Sequence, residues 1–212
     1  MKRVELPEKE YEGYIFDLDG TVVDSMPLHY RAWRQALAEG GAPHEAFLPD
    51  EFYAAGGKSA VDVVTMINER YGVSLDPERT AMRKRAIYIK FVNDYGVPPI
   101  KETVDFIRSL GSDSRIAIAT GSALPGAEHT LKSAGIQDLF KVIVTPDDVE
   151  RGKPFPDMFL LSAELLGVDP SHCVVFEDAE PGINAAIAAK MGYIRVETPP
   201  EYLTDPEMIV KS

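Results

Sequence analysis

The sequence predicts a doubly wound α/β fold: a parallel sheet covered by helices on both faces, with one helical insertion. Three observations carry this expectation. Five short apolar runs alternate with helix-like patterns of about ten residues, as in parallel sheets whose strands are buried on both faces. The segment 28–95 breaks that alternation with helical stretches and no convincing strand. Four of the runs end in or lead to acids, hydroxyls or a lysine, and open parallel sheets bind ligands beyond the carboxyl ends of their strands.

The elements follow in chain order. Gly13 to Leu18 reads as the first strand and runs into Asp17-Leu18-Asp19-Gly20-Thr21. Amphipathic stretches then cover His29 to Ala38, Ser59 to Arg70 and Pro77 to Val92, punctuated by Gly40-Gly41-Ala42-Pro43, Gly56-Gly57 and Tyr71-Gly72. Pro98-Pro99 marks the return to the sheet. Helices are expected at Lys101 to Leu110, Gly126 to Ala134, Asp157 to Leu166 and Gly182 to Lys190. Between and after them, strands are expected at Arg115 to Thr120, Lys141 to Thr145, His172 to Glu177 and Tyr193 to Val196. The domain expectation is an α/β core formed by 1–27 and 96–212, with 28–95 as a helical cap inserted after the first strand.

Composition narrows the function classes. With 34 acids against 22 bases the net charge is −12, which argues against nucleic acid and anionic membranes as partners. An anionic substrate must then be attracted locally, by a metal and a few placed cations. The charged N-terminus carries no apolar leader, and no apolar stretch approaches the roughly 18 residues of a membrane span. The single Cys173 cannot form an internal disulfide and is expected as a buried apolar side chain in a cytoplasmic protein. A monomer is expected.

Asp17 and Asp19 are separated by one residue, so at the end of an extended strand both carboxylates face one side. Like charges that close raise one pKa unless a cation or donors compensate. The other strand ends supply Thr120-Gly121-Ser122, then Lys153 through Pro146-Asp147-Asp148 and Arg151-Gly152, then Glu177-Asp178. This set suits phosphoryl transfer. Either Asp17 or Asp19 is placed to attack phosphorus. The Thr120 hydroxyl, the N–H groups after it and the Lys153 ammonium suit the phosphoryl oxygens. A Mg²⁺ bridging Asp17, Asp178 and the phosphate would neutralise the clustered charge. Ser122 is also placed to cap the helix that follows.

In this order, Asp17-Leu18-Asp19-Gly20-Thr21, Thr120-Gly121-Ser122, Lys153-Pro154 and Glu177-Asp178 resemble the four motifs of the haloacid dehalogenase (HAD) phosphatase superfamily. The likeness runs from about Tyr14 to Val196. Lys153-Pro154-Phe155-Pro156-Asp157 and Phe176-Glu177-Asp178-Ala179, followed by Gly182, resemble the subgroup of β-phosphoglucomutase and small sugar-phosphate phosphatases, which carries a helical cap after the first motif. The resemblance implies that Asp17 is the nucleophile. It implies that Asp19 protonates the leaving alcohol, then activates water, and ligates Mg²⁺ through its backbone carbonyl. Asp178 would be the outer metal ligand and Glu177 a ligand directly or through water. Thr120 and Lys153 would bind phosphate, Lys153 also screening Asp17. Haloacid dehalogenases and phosphonoacetaldehyde hydrolases lack an acid at the position of Asp19, so its presence implies a phosphate ester as substrate.

The cap should choose the substrate. His29 and Lys84 match a histidine and a lysine that β-phosphoglucomutases carry in the cap, and Gly57-Lys58-Ser59 resembles a cap substrate loop. The mutase arginine that follows this loop's serine is replaced by Ala60. The expected function is therefore Mg²⁺-dependent hydrolysis of small phosphorylated metabolites, sugar or polyol phosphates being the first class to try. The alternatives are a β-phosphoglucomutase-like phosphotransferase and a non-catalytic phosphometabolite-binding protein. Trp33 is expected in the cap core, and His44, His129 and His172 show no metal-ligand spacing. Asp147 and Asp148 suit a solvated loop or a helix cap.

Overall fold

The computed structural model describes residues 4–7 and 9–199; the outer ends of the expected core segments, 1–3 and 200–212, lie outside the described residues. Five strands form one parallel sheet: β1 (Gly13–Phe16), β2 (Arg115–Ala119), β3 (Val142–Val144), β4 (Cys173–Glu177) and β5 (Gly192–Arg195). Their order is β3-β2-β1-β4-β5. The sheet grows to one side through β2 and β3, then resumes on the other with β4, so the topological switch point lies at the end of β1. Phe16 pairs with Ile118 and with Phe176, which brings Asp17 to the same level as Glu177.

Side-chain alternation divides the sheet into two faces. Tyr14, Phe16, Ile116, Ile118, Val174 and Phe176 share one apolar cluster with Val104, Ile107, Ala127 and Leu131. Those last four lie on α5 (Lys101–Ser109) and α6 (Leu124–Ser133). Ile15, Ala119, Val144, Cys173 and Val175 turn the other way, against Met158, Phe159 and Ala163 of α7 (Asp157–Leu166) and Ala185 and Ala186 of α8 (Glu180–Ala188). Cys173 is fully buried, as its apolar run predicts.

The helical insertion holds α1 (Met26–Glu39), α2 (Pro49–Ala54), α3 (Ala60–Tyr71) and α4 (Pro77–Tyr95). Tyr30, Trp33, Leu37, Phe47, Phe52, Val63, Val64 and Ile67 form its own apolar cluster, with Trp33 inside as expected. The insertion is not insulated from the sheet. Leu28 and Ala32 of α1, and Ile87, Tyr88 and Val92 of α4, join the cluster that covers the sheet on the α5 and α6 side. The two chain crossings are clamped together: Asp24 N–H donates to Pro98 carbonyl at 2.8 Å and Ile100 N–H to Val22 carbonyl at 2.8 Å.

Several boundaries differ from the sequence expectation for one reason. Prolines in the first turn of α1, α6 and α8 start those helices two or three residues earlier, because proline is preorganised for that position. Helix α2 was not anticipated. It spans six residues, begins at Pro49, and the Glu51 carboxylate accepts from Leu48 N–H at 3.1 Å. Strand β1 stops at Phe16, earlier than expected, because Leu18 carbonyl accepts from Val22 and Val23 N–H at 3.0 and 3.1 Å and closes a tight turn. Asp17 and Asp19 both border one cavity, as their spacing leads one to expect. Among the described residues, no helix is long and apolar enough to cross a membrane.

Candidate active site

The carboxyl ends of β1 and β4 place acids side by side. Asp17, Glu177 and Asp178 each offer an oxygen, all within 4.8 Å of one another. Lys153 reaches them from the loop before α7, its ammonium donating to Asp17 Oδ1 at 2.6 Å and to Glu177 Oε1 at 2.7 Å. Asp17 is 7%, Lys153 5% and Glu177 1% exposed, so one buried cation bridges two buried anions. The second Glu177 oxygen accepts from Ala179 N–H at 2.8 Å. Burial, with the nearby Glu177 and Asp19 charges, raises the Asp17 carboxyl despite Lys153. Burial and the charges of Glu177 and Asp17 raise Asp178 as well. A set of hard oxygen donors whose mutual repulsion exceeds what one lysine offsets fits a divalent cation such as Mg²⁺.

Two glycines are required by this crowding. A Cβ at Gly182 would lie 1.8 Å from Glu177 Oε1, and one at Gly20 would lie 2.3 Å from Asp178 Oδ2. Gly20 also has φ 95°, a conformation that side chains disfavour.

Asp19 sits in a different environment. Its Oδ1 accepts from Ser25 Oγ at 2.6 Å and lies 3.0 Å from His29 Nε2, while Oδ2 accepts from Ser122 Oγ at 2.7 Å. Although burial opposes it, the contacts from His29, Ser25 and Ser122 hold the Asp19 carboxyl well below its ordinary range. Lys84 Nζ lies 2.7 Å from His29 Nδ1. An ammonium only donates, so Nδ1 accepts and the ring proton resides on Nε2, facing Asp19. Burial first, then the Lys84 charge, lowers the His29 pKa, which favours this neutral imidazole. Burial likewise pushes the Lys84 ammonium down to about 8.

Thr120 is buried, and its Oγ1 accepts from Ser122 N–H at 3.0 Å. Its own hydroxyl proton is thereby left to donate, while the Ser122 N–H is already used. Ser122 is not the cap of α6; Ala123 holds that position without a side-chain bond, because the Ser122 hydroxyl is committed to Asp19. Gly121 is exposed and borders the same cavity.

That cavity, about 430 Å³, runs from Asp17, Asp19, Thr120 and Asp178 to Trp33, Phe52, Lys84 and Tyr88 on the helical insertion. Gly56 and Gly57 close onto the sheet side: Cβ atoms there would lie 2.9 Å from Ala179 Cβ and 3.3 Å from Pro181 Cβ. Lys58 borders the cavity but is exposed, and Ala60 begins α3 where the mutase arginine would follow.

All ten expected site residues line this cavity or bond to residues that do. Ser25 and Tyr88 were not anticipated. Ser25 directly precedes α1 and gave no pattern beyond its type; Tyr88 lies four residues after Lys84, on the same face of α4, which was the available signal. His44 is exposed and His172 pairs with Glu12 at 3.0 Å. Asp148 accepts from Thr145 N–H and Oγ1, each at 2.8 Å, a cap as expected.

A family profile of haloacid dehalogenase-like hydrolases matches residues 11–190. The chain is 37% identical to fructose-1-phosphate phosphatase YqaB of Escherichia coli (strain K12), over 89% of this chain and 97% of that one. It is 35% identical to hexitol phosphatase A of the same organism, over 89% and 84% of the two chains. Among solved structures, a β-phosphoglucomutase from Clostridium difficile superposes with a TM-score of 0.71 at 26% identity, over 93% of this chain and 97% of that one. With this match and the parallel sheet that carries its acids at the switch point, the chain belongs to the haloacid dehalogenase-like hydrolase family.

Proposed function

We propose that this protein is a Mg²⁺-dependent phosphatase of small phosphorylated metabolites, sugar or polyol phosphates, working through a phosphorylated Asp17. The observation that carries the reading is the contrast between two neighbouring acids. Asp17 is braced by Lys153 at the base of the cavity, whereas Asp19 is held by hydroxyls and His29 beside it. Two carboxyl groups in different environments suit two different tasks.

In the first step an Asp17 oxygen attacks phosphorus. The ester P–O bond breaks, and Asp19, ionised in the substrate-free site, takes up a proton as the anionic phosphate beside it raises its pKa and gives that proton to the leaving alkoxide. In the second step a water attacks the same phosphorus as Asp19 takes its proton. The bond to Asp17 breaks, and phosphate leaves with the carboxylate restored. Lys153 and the Thr120 hydroxyl hold phosphoryl oxygens throughout. Asp17, Asp178 and the backbone carbonyl of Asp19 would hold Mg²⁺, with Glu177 acting through water because Lys153 and Ala179 N–H occupy its oxygens. Bound there, the cation neutralises charge that develops on the phosphoryl group.

Segment 28–95 acts as the cap, and its Gly56-Gly57 loop excludes water while the phosphorylated aspartate exists. The relatives named for fructose 1-phosphate and hexitol substrates support sugar or polyol phosphates as the class. A monomer in a reducing cytoplasm accords with a moving cap and the lone buried Cys173.

The test is phosphate release over a panel of sugar and polyol phosphates, with and without Mg²⁺. Wild type is expected to turn over several in a metal-dependent way, and Asp17→Asn to lose activity by roughly three orders of magnitude or more. Near-normal turnover by that variant would move the nucleophile elsewhere. A phosphoglucomutase-like reading draws on His29, which lies against Asp19, and on Lys84, which bonds to His29. Ala60 weighs against it, since a mutase must hold phosphate at both ends. Conversion of glucose 1-phosphate to glucose 6-phosphate, dependent on a bisphosphate, would decide in its favour.

A further inference from the structure

Three sides of the His29 ring are occupied. Asp19 takes the Nε2 edge and Lys84 the Nδ1 edge. The third neighbour is Tyr88, stacked on the ring with centroids 3.8 Å apart and planes 7° from parallel. Tyr88 is itself buried, and its hydroxyl lies 2.9 Å from Thr130 Oγ1 on α6. It also belongs to the apolar cluster that includes Ala127 and Leu131 of the same helix.

The geometry has a mechanical consequence. Rotating the imidazole about its Cβ–Cγ bond would drive a ring edge into Tyr88, which is already at van der Waals distance. Tyr88 cannot withdraw without giving up its bond to Thr130. Ser122, whose hydroxyl holds Asp19, lies two residues before α6, and Thr130 lies on that helix. One rigid helix therefore sets both the position of Asp19 and that of the ring beneath His29.

We propose that Tyr88 is a positioning residue for the proton-exchanging acid: stacked on His29 and tethered to Thr130, it holds the imidazole with Nε2 3.0 Å from Asp19 Oδ1. Its consequence for turnover rests on the reading of Asp19 given above. Tyr88 acts through His29 and carries no proton of the reaction.

The experiment combines Tyr88→Leu, Tyr88→Phe and His29→Gln, with phosphate release on the best panel substrate. Tyr88→Leu removes the aromatic face and is expected to lower kcat about tenfold while KM changes by less than about twofold, as small misplacements of catalytic groups do. Tyr88→Phe keeps the stack but loses the bond to Thr130, and should recover only part of that loss. In a His29→Gln background, Tyr88→Leu should have little further effect, because residues acting through one another are not additive. Equal and additive losses in both backgrounds would reduce Tyr88 to core packing and overturn the proposal.

A second readout does not depend on turnover. Imidazole ¹⁵N shifts should show His29 protonated on Nε2 alone in wild type and in Tyr88→Phe, and exchanging between tautomers in Tyr88→Leu. Unchanged shifts in the folded Tyr88→Leu protein would overturn the positioning role. Wild type inactive on every phosphate ester tested would overturn the phosphatase reading, and the shifts would still decide for or against Tyr88.

Discussion

Lys153 is the residue on which the charge balance at the end of the sheet depends. Its ammonium bonds two buried carboxylates, and removing one partner of a buried ion pair typically costs about 3–5 kcal/mol because the other charge is stranded. Lys153→Ala is expected to lower the urea midpoint as well as impair turnover. A variant with wild-type stability would mean that the bonds from Lys153 add nothing to folding. Cys173 offers a simpler forecast. Burial pushes its thiol up to about 11, so little thiolate exists near neutral pH, and the thiolate is the reactive form. Thiol reagents at pH 7.5 should label it only after denaturation; rapid labelling of the native protein would contradict its burial. Both residues were legible in the sequence, Cys173 from its apolar run and Lys153 from its place after a strand. The bond from Lys153 to Glu177 was not, since 24 residues separate them and only the fold brings them together.

At the scale of elements, β1, β4 and α8 form one unit. Gly182 lets the first turn of α8 pass over Glu177, and its missing Cβ is space the carboxylate occupies. Gly182→Ala should therefore cost more than a helical glycine-to-alanine change elsewhere, where alanine gains roughly 1 kcal/mol from propensity. The expected outcome is lower thermal stability together with weaker Mg²⁺ dependence of activity, measured by melting curves and metal titration. A stabilised, fully active variant would mean that Glu177 has freedom to move. Element positions were mostly readable from apolar periodicity, and boundaries were less so. Helices α1, α6 and α8 carry in their first turn prolines that punctuate loops as readily as they open helices. Helix α2 is too short for a periodic pattern.

The whole molecule couples its helical insertion to the sheet through α1 and α4, and Lys84 on α4 reports on that coupling. Burial depresses its ammonium from the ordinary 10.5 to about 8, so between those values the unfolded chain binds the extra proton. Stability should rise as pH climbs from about 8 to 10.5; the cost is fully present below that window and gone above it. Urea unfolding of wild type against Lys84→Met across this range should show a difference that shrinks with pH. A constant difference would mean that the lysine is not depressed. If Lys84 also attracts the substrate, KM for the phosphate ester should rise above pH 8 in wild type and stay flatter in the variant. His29 and Asp19 flank Lys84 within the same chain of contacts, so the comparison between the two proteins, rather than either profile alone, isolates the lysine.

The sequence by itself determined the class of fold, the strand ends that carry chemistry, and the inventory of acids, hydroxyls and lysine that belongs to this hydrolase family. These are local properties: apolar period, turn residues and residue type at a strand end are set by neighbours in the chain. Only the tertiary structure decided which acid faces which partner. Asp17 and Asp19 stand two residues apart, yet Lys153 braces one while Ser25, Ser122 and His29 hold the other. It also placed Tyr88 under His29 and bound it to Thr130. Such contacts join residues from six to more than a hundred positions apart, and residue type alone does not say which of them meet. Their geometry follows from how the insertion packs on the α5 and α6 side of the sheet.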